Sequence, residues 1–272
     1  MTLYGILGSA FMAYVYLGGE QIQGRLTFGH PNYLGLISFG VLVCCLSFRN
    51  VIAKLLFVGF NMFIILEAQA RACLLASVIS IVVYTFLVGR GRGYGWLFYT
   101  GCTMVAALSI WLVYRQEVAS WISATLFLDD RYRGLGTGFT GRLDAWHEAV
   151  ELFRENPVFG VGFRAHERLM TALPSAHNGY LAMLAETGIV GLSCALALIG
   201  VCLRRVFRLA LTGDRVAIVG FAFVCGYLFA ANFDRFLVNY GSPTSVLMWI
   251  FLLMPRWPRP GVSIGAPEQS RC

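Results

Sequence analysis

One residue at the start of an apolar run offers acid–base chemistry at neutral pH. His177 immediately precedes Asn178 where an apolar run begins. An imidazole at a helix start feels the positive end of the helix dipole, which favours its neutral form. A neutral imidazole can take a proton from a hydroxyl nucleophile. The bland alternative is a polar patch that caps the helix. Four arginines offer a different chemistry. Arg25 lies in GRLTFGHPNYLG, Arg71 follows EAQA, Arg142 opens GRLDAWHEAVELFRENP, and Arg235 sits in NFDRF. A guanidinium grips phosphate oxygens through two parallel hydrogen bonds, so each could hold an anion. Each could equally form a salt bridge or meet a lipid headgroup, and Asp234 beside Arg235 favours the salt bridge there. Glu186 falls inside an apolar run, where it needs either a function or a basic partner at the helix top. Asp129-Asp130 resembles a metal-binding pair, but adjacent carboxylates without further ligands make a poor magnesium site.

The elements that must position these residues are membrane helices. The chain is 58% hydrophobic and 13% charged, against about 25% charged in a soluble domain. Apolar runs recur near 2–18, 33–48, 50–66, 72–88, 94–114, 178–203, 215–231 and 236–254. Several approach the lower spanning limit of about 17 residues. Lipid leaves a single segment no way but a helix to satisfy its backbone. The expected fold is all-α, a polytopic membrane protein of about 8 transmembrane helices in one domain, 1–254. The Pro- and Gly-rich tail 255–272 is expected to be a disordered cytoplasmic extension. The opening stretch lacks a basic start and reads as a first span rather than a cleavable signal.

Charge sets the orientation. Arg49, Lys54, Arg90, Arg92, Arg204, Arg205, Arg208, Arg215, Arg256, Arg259 and Arg271 share their connections with only Asp214 and Glu268. Loops 19–32, 67–71, 115–177 and 232–235 mix the remaining basic residues with the other loop acids. Short basic loops stay in the cytoplasm, so both termini are expected there, in the inner (plasma) membrane. The second set then faces the periplasm and carries His30, His147, His166 and His177.

The long periplasmic loop 115–177 contains a further helix. Leu143, Trp146, Val150 and Phe153 recur at helical spacing with charges between them. That is an amphipathic helix lying at the membrane surface. Asn156-Pro157 ends it, and Gly160 and Gly162 make a turn. The net charge of +7 does not mark a nucleic-acid binder, because the basic residues are dispersed between apolar segments. The eight cysteines show no CxxC or Cys/His spacing and read as small hydrophobes. No Walker motif, nucleophile elbow or HExxH occurs.

Gly141-Arg142, Trp146, Pro157, Gly160, Gly162, His177-Asn178, Tyr180, Leu181, Glu186 and Gly188 follow one another in an order that resembles the O-antigen ligase/polymerase superfamily. RLTFGHPNYLG is similar to that family's arginine followed by Pro-Asn. ARACLLASV is similar to its Ser-Arg helix start, with Ala70 in place of the serine. The resemblance covers roughly residues 20–200.

It implies a GT-C-like membrane glycosyltransferase of lipopolysaccharide or polysaccharide biosynthesis. A glycan would pass from undecaprenyl pyrophosphate to an acceptor hydroxyl on lipid A-core, another glycan or a protein. It implies no metal and no cofactor. Arg25, Arg71 and Arg142 would hold the diphosphate, and His177 would activate the acceptor. Asn178, Trp146 and Glu186 would support them. Two other readings stand beside this one. A membrane transporter or channel should show broken, polar helices at the midplane. A non-catalytic truncated paralogue fits a chain with fewer spans than the family usually has.

Overall fold

A computed structural model of the protein describes residues 1–19, 21–22, 25–26, 28, 31–90, 140–171, 173, 175–235, 237–239 and 241–253. The expected span 94–114, the loop portion 115–139 with Asp129-Asp130, the tail 255–272, His30, Cys102 and Cys272 lie outside the described residues. In chain order the elements are α1 (Thr2–Gly18), β1 (Gln21–Ile22), β2 (Arg25–Leu26), α2 (Pro31–Cys45), α3 (Val51–Glu67) and α4 (Arg71–Gly89). Then come α5 (Thr140–Glu155), α6 (His166–Leu169), α7 (Gly179–Leu211), α8 (Arg215–Ala230) and α9 (Pro243–Leu253). Among the described residues the fold is helical apart from the antiparallel β1–β2 pair, in which Gln21 faces Leu26 and Ile22 faces Arg25. That pair is an addition to the all-α expectation.

The helices begin where local chemistry allows. Asn50 Oδ1 accepts from the backbone N–H groups of Ile52 and Ala53. Asn178 accepts from Tyr180 and Leu181, and Asp214 accepts from Ala217. Pro31 and Pro243 occupy first helical positions, where proline's missing donor costs nothing.

Two expected boundaries move. The last helix starts at Pro243 instead of 236. The backbone N–H groups of Gly241 and Ser242 bond Asn239, and the Asn239 N–H bonds Ser245 Oγ, which holds the chain in a turn. The helix expected to end at 203 runs to Leu211, through the basic residues Arg204, Arg205 and Arg208.

Two helices, Arg71–Gly89 and Gly179–Leu211, are long and apolar enough to cross a membrane. Four shorter apolar helices, α1, α2, α8 and α9, stand with them. Large apolar side chains also face outwards: Leu3 and Leu7 on α1, Leu55 on α3, Val82 on α4 and Val201 on α7. Exposed apolar side chains on apolar helices fit a lipid-facing surface.

The core lies where α2, α8 and α9 meet. Phe39 stacks on Phe223 at 5.2 Å, and Phe223 meets Phe251 at 5.4 Å. Several polar groups inside the bundle pair with one another. Asn61 Nδ2 donates to Ser9 Oγ at 2.8 Å, Ser38 Oγ donates to Asn61 Oδ1, and Ser80 Oγ donates to the Ala222 carbonyl. Such bonds hold helices together where water is absent. Cys44, Cys45 and Cys73 are buried as expected, while Cys194 is exposed on α7.

Helix α7 is broken at Gly188, where φ is 64° and ψ −168°. In an unbroken helix Ile189 and Val190 would donate to the carbonyls of Ala185 and Glu186. Here Ile189 N–H donates to the Pro157 carbonyl at 2.9 Å and Val190 N–H to Val158 at 3.3 Å. The two released carbonyls accept from Val161 and Gly162, each at 2.9 Å. A turn over 157–162 therefore replaces two missing rungs of the helix, donor for donor and acceptor for acceptor. Each of these groups left bare in an apolar setting would cost several kcal/mol. Glycine is required on both sides: a Cβ on Gly188 would strike the Val158 carbonyl, and one on Gly160 the Glu186 backbone. Both also have positive φ.

Candidate functional site

Helix direction and the contacts below gather the β1–β2 pair, the start of α4, α5, the 156–178 segment and the 231–242 loop at one end of the bundle. The amphipathic helix forms as expected, but with a different buried face. Ala145 and Ala149 on α5, with Leu152, pack on Ala182 and Ala185 of α7. Leu143, expected on the apolar side, is exposed. Small side chains let two helices approach closely, and that outweighs the larger apolar stripe. Glu148 pins α5 further by accepting from the backbone N–H and the hydroxyl of Thr171.

Asp234 is the centre of the arrangement. Its Oδ1 accepts the Arg235 backbone N–H at 2.8 Å. Burial pushes the Asp234 carboxyl up to about 6, against the pull of that bond and the charges of Arg235 and Arg142. Burial draws the Arg142 guanidinium below its ordinary value, and the Asp234 charge opposes that. The same charge reaches Cys73, two residues beyond Arg71 at the start of α4. The Gly179 N–H donates to the Ala231 carbonyl at 2.7 Å, which brings the start of α7 to the same loop. His177 sits just before it, half-buried, with φ 45°.

A second cluster lies beside the first. Arg235 Nη1 donates to Glu167 Oε1 at 2.9 Å, and Arg164 donates to Glu167 Oε2 at 2.7 Å. Burial raises the Glu167 carboxyl, but the Arg164 bond and the charges of Arg235, Arg164 and His166 outweigh it and hold it down. His166 is fully buried, with Nδ1 2.7 Å from Glu186 Oε1. The pair is close enough for an ion pair, but the ring N–H is not aligned for a good hydrogen bond. Among the described residues no three His, Cys, Asp or Glu side chains gather as a metal site.

A sequence profile of the O-antigen ligase family matches residues 54–196, just over half of the 272 residues. The chain belongs to the O-antigen ligase family. No curated protein gives a significant match. Membership supports a membrane protein of ligase or polymerase type, acting in glycosyl transfer on a lipid-linked glycan and an acceptor.

The matched stretch of this O-antigen ligase family member contains Arg71, Arg142, Trp146, His177, Asn178 and Glu186, and leaves out Arg25, Asp234 and Arg235. The geometry sorts these residues. Arg142, the Arg71 end of α4 and the His177–Asn178 step adjoin the 231–242 loop. Arg25 opens β2, and β2 packs on α2 and α3. Trp146 lies one turn beyond Arg142 on α5, its indole Nε1 buried with no partner among the described residues. Asn178 caps α7, and Glu186 faces His166. Arg235 does make a salt bridge, to Glu167 rather than to its neighbour.

Sequence reasoning passed over Asp234 as a site residue and gave His166 no role. One signal was present for Asp234: an acid–base pair in a short loop between two apolar runs. His166 carried none, because its partner is twenty residues away in another element.

Proposed function

We propose that the protein is a metal-independent glycosyltransferase of the outer leaflet, passing a glycan from undecaprenyl pyrophosphate to an acceptor hydroxyl on lipid A-core, another glycan or a protein. The observation that carries this reading is the convergence of Arg142, the Arg71 end of α4 and His177 on the Asp234 loop, in a chain of the O-antigen ligase family. Arg71 and Arg142, with Arg25, bind the diphosphate. His177 takes the proton from the acceptor hydroxyl as the new glycosidic bond forms at the anomeric carbon. The anomeric carbon–oxygen bond breaks, and the carrier diphosphate leaves with both electrons. Fixed guanidinium groups stabilise its charge, and electrostatic stabilisation of this kind usually accelerates such a reaction more than any other effect. A positioned general base contributes roughly 10²–10⁴-fold more. The charge of Asp234 favours the protonated guanidinium of Arg142. In this reading the chain has about eight spans, the site faces the periplasm at the inner membrane, and both termini are cytoplasmic, which the charge bias of the loops supports.

The break in α7 does not favour a transporter. It lies nine residues after Gly179, near the helix start, and the 157–162 turn fills it.

The test is a deletion strain complemented with His177→Ala or Arg142→Ala, read on surface-polysaccharide gels with protein level checked in membranes. Both variants should lose glycan transfer and stay in the membrane. Unchanged ladders with His177→Ala would remove the catalytic assignment. The deletion strain itself separates the subtypes: a ligase defect leaves glycan on its carrier, a polymerase defect leaves single repeats.

A further inference from the structure

The segment from Pro157 to Phe163 reads PVFGVGF and contains no charged residue. Arg154 and Glu155 precede it and Arg164 follows it, all exposed. Its large side chains are not folded inward: Phe159 is 74% and Phe163 73% exposed, and Val158 is exposed with them. A surface turn in water normally carries polar side chains and leaves its backbone to the solvent. This one does neither. The N–H groups of Gly160, Val161 and Gly162 bond the carbonyls of Asn156, Ala185 and Glu186. The carbonyls of Pro157, Val158 and Gly162 accept from Ile189, Val190 and Ala165. Irregular backbone is excluded from lipid because its polar groups go unpaired. Here the break in α7 pairs them.

The exposed side chains also continue a lipid-facing surface. Ile189 and Val190, the residues that hold the turn, are themselves exposed on α7. Further along the same spanning helix Leu196, Leu198 and Val201 face outwards. We infer that the 157–163 turn is a wedge immersed at the headgroup–acyl boundary of the bilayer, with Phe159 and Phe163 among the lipid chains. Aromatic side chains favour that depth, and Arg164 is placed to reach the headgroups. The wedge would fix how deep the 156–178 segment, and so His177, sits relative to the membrane. The inference rests on apolar exposure and backbone pairing and does not require glycosyl transfer.

The test uses the full chain with a benzophenone amino acid at 159, 163, 147 or 196, reconstituted in phosphatidylethanolamine–phosphatidylglycerol vesicles. Position 147 is a polar, exposed site on α5, and 196 is a lipid-facing control on α7. After irradiation, intact-mass measurement should show lipid adducts at 159, 163 and 196 and none at 147. Lipid adducts at 196 without any at 159 and 163 would overturn the wedge. So would equal adducts at 147, which would mean unspecific labelling. Absence of adducts at 196 as well would overturn the membrane placement of α7 and the wedge with it. Transfer activity is not read, so none of these outcomes bears on the role of His177.

Discussion

Arg235 Nη1 reaches Glu167 Oε1 at 2.9 Å across 68 residues of chain, and Glu167 uses its other oxygen for Arg164. This is the contact that ties the 156–178 segment to the α8–α9 loop. Replacing Glu167 with Ala should loosen the segment. A double-mutant cycle with Arg235→Ala should give a coupling of roughly 0.5–1 kcal/mol, since the pair is partly solvated. Thermal unfolding in detergent, followed for all four proteins, reads it. The pH dependence has a fixed sign. The Glu167 carboxyl is held down in the folded state. Its contribution is therefore present above the ordinary glutamate value of about 4.3 and is lost as pH falls through the lower folded value. A coupling that persists unchanged at acid pH would contradict the assignment.

Asp234 titrates in the other direction. Burial raises its carboxyl to about 6, from an ordinary 3.8. The folded state binds that proton more tightly than the unfolded chain. The stability it brings is full below about pH 4 and is lost as pH rises through about 6. Asn imitates the protonated form. Asp234→Asn should match the parent protein in melting temperature near pH 4 and exceed it above pH 6. Arg142→Ala should push the Asp234 titration higher still, because the Arg142 charge lowers it. A melting-temperature gap that does not change with pH would show that Asp234 is not titrating in this window.

The break in α7 gives a sharper backbone prediction. A side chain at Gly188 costs roughly 1–3 kcal/mol for its conformation alone, because positive φ with extended ψ is essentially confined to glycine. Gly188→Ala adds a collision with the Val158 carbonyl, and Gly160→Ala adds one with the Glu186 backbone. The two lesions strike one interface, so the double variant should be destabilised by less than the sum of the singles. Full additivity in thermal melts would mean that the turn and the break are not mechanically one unit.

The residues that were readable in the sequence are those whose reasons are local. Apolar runs ended within a few residues of Gly18, Glu67, Gly89 and Ala230, because an apolar helix stops where polar or glycine residues do. Gly160, Gly162 and Gly188 announced tight backbone, and Asn156-Pro157 announced the end of α5. What those glycines were for was not readable, because the partner strand of backbone lies some thirty residues on. The same holds for the face of α5. Leu143 carries more apolar surface than Ala145, but the choice between them depends on how near α7 comes. Arg142 could be named from its neighbours Gly141 and Trp146, whereas the influence of the Asp234 charge on it depends on a loop distant in sequence.

The His177–Asn178 pair divides into two roles, and that division can be measured. Asn178 Oδ1 accepts from Tyr180 and Leu181 at 3.0 and 3.1 Å, capping α7. Its removal in Asn178→Ala should cost about 1 kcal/mol of stability. Asn178→Ser and Asn178→Asp keep a side-chain acceptor at the same position and should restore most of that loss. If capping is the whole role of Asn178, transfer by the Ser variant should stay close to the parent level at a temperature where it is folded. His177 should behave in the opposite way. Its imidazole is assigned the acceptor proton, so His177→Ala should lose transfer at a temperature where the variant is folded. An Asn178→Ser protein that is folded but inactive would give Asn178 a direct part in the chemistry. A His177→Ala protein that fails to fold would reduce His177 to a structural residue.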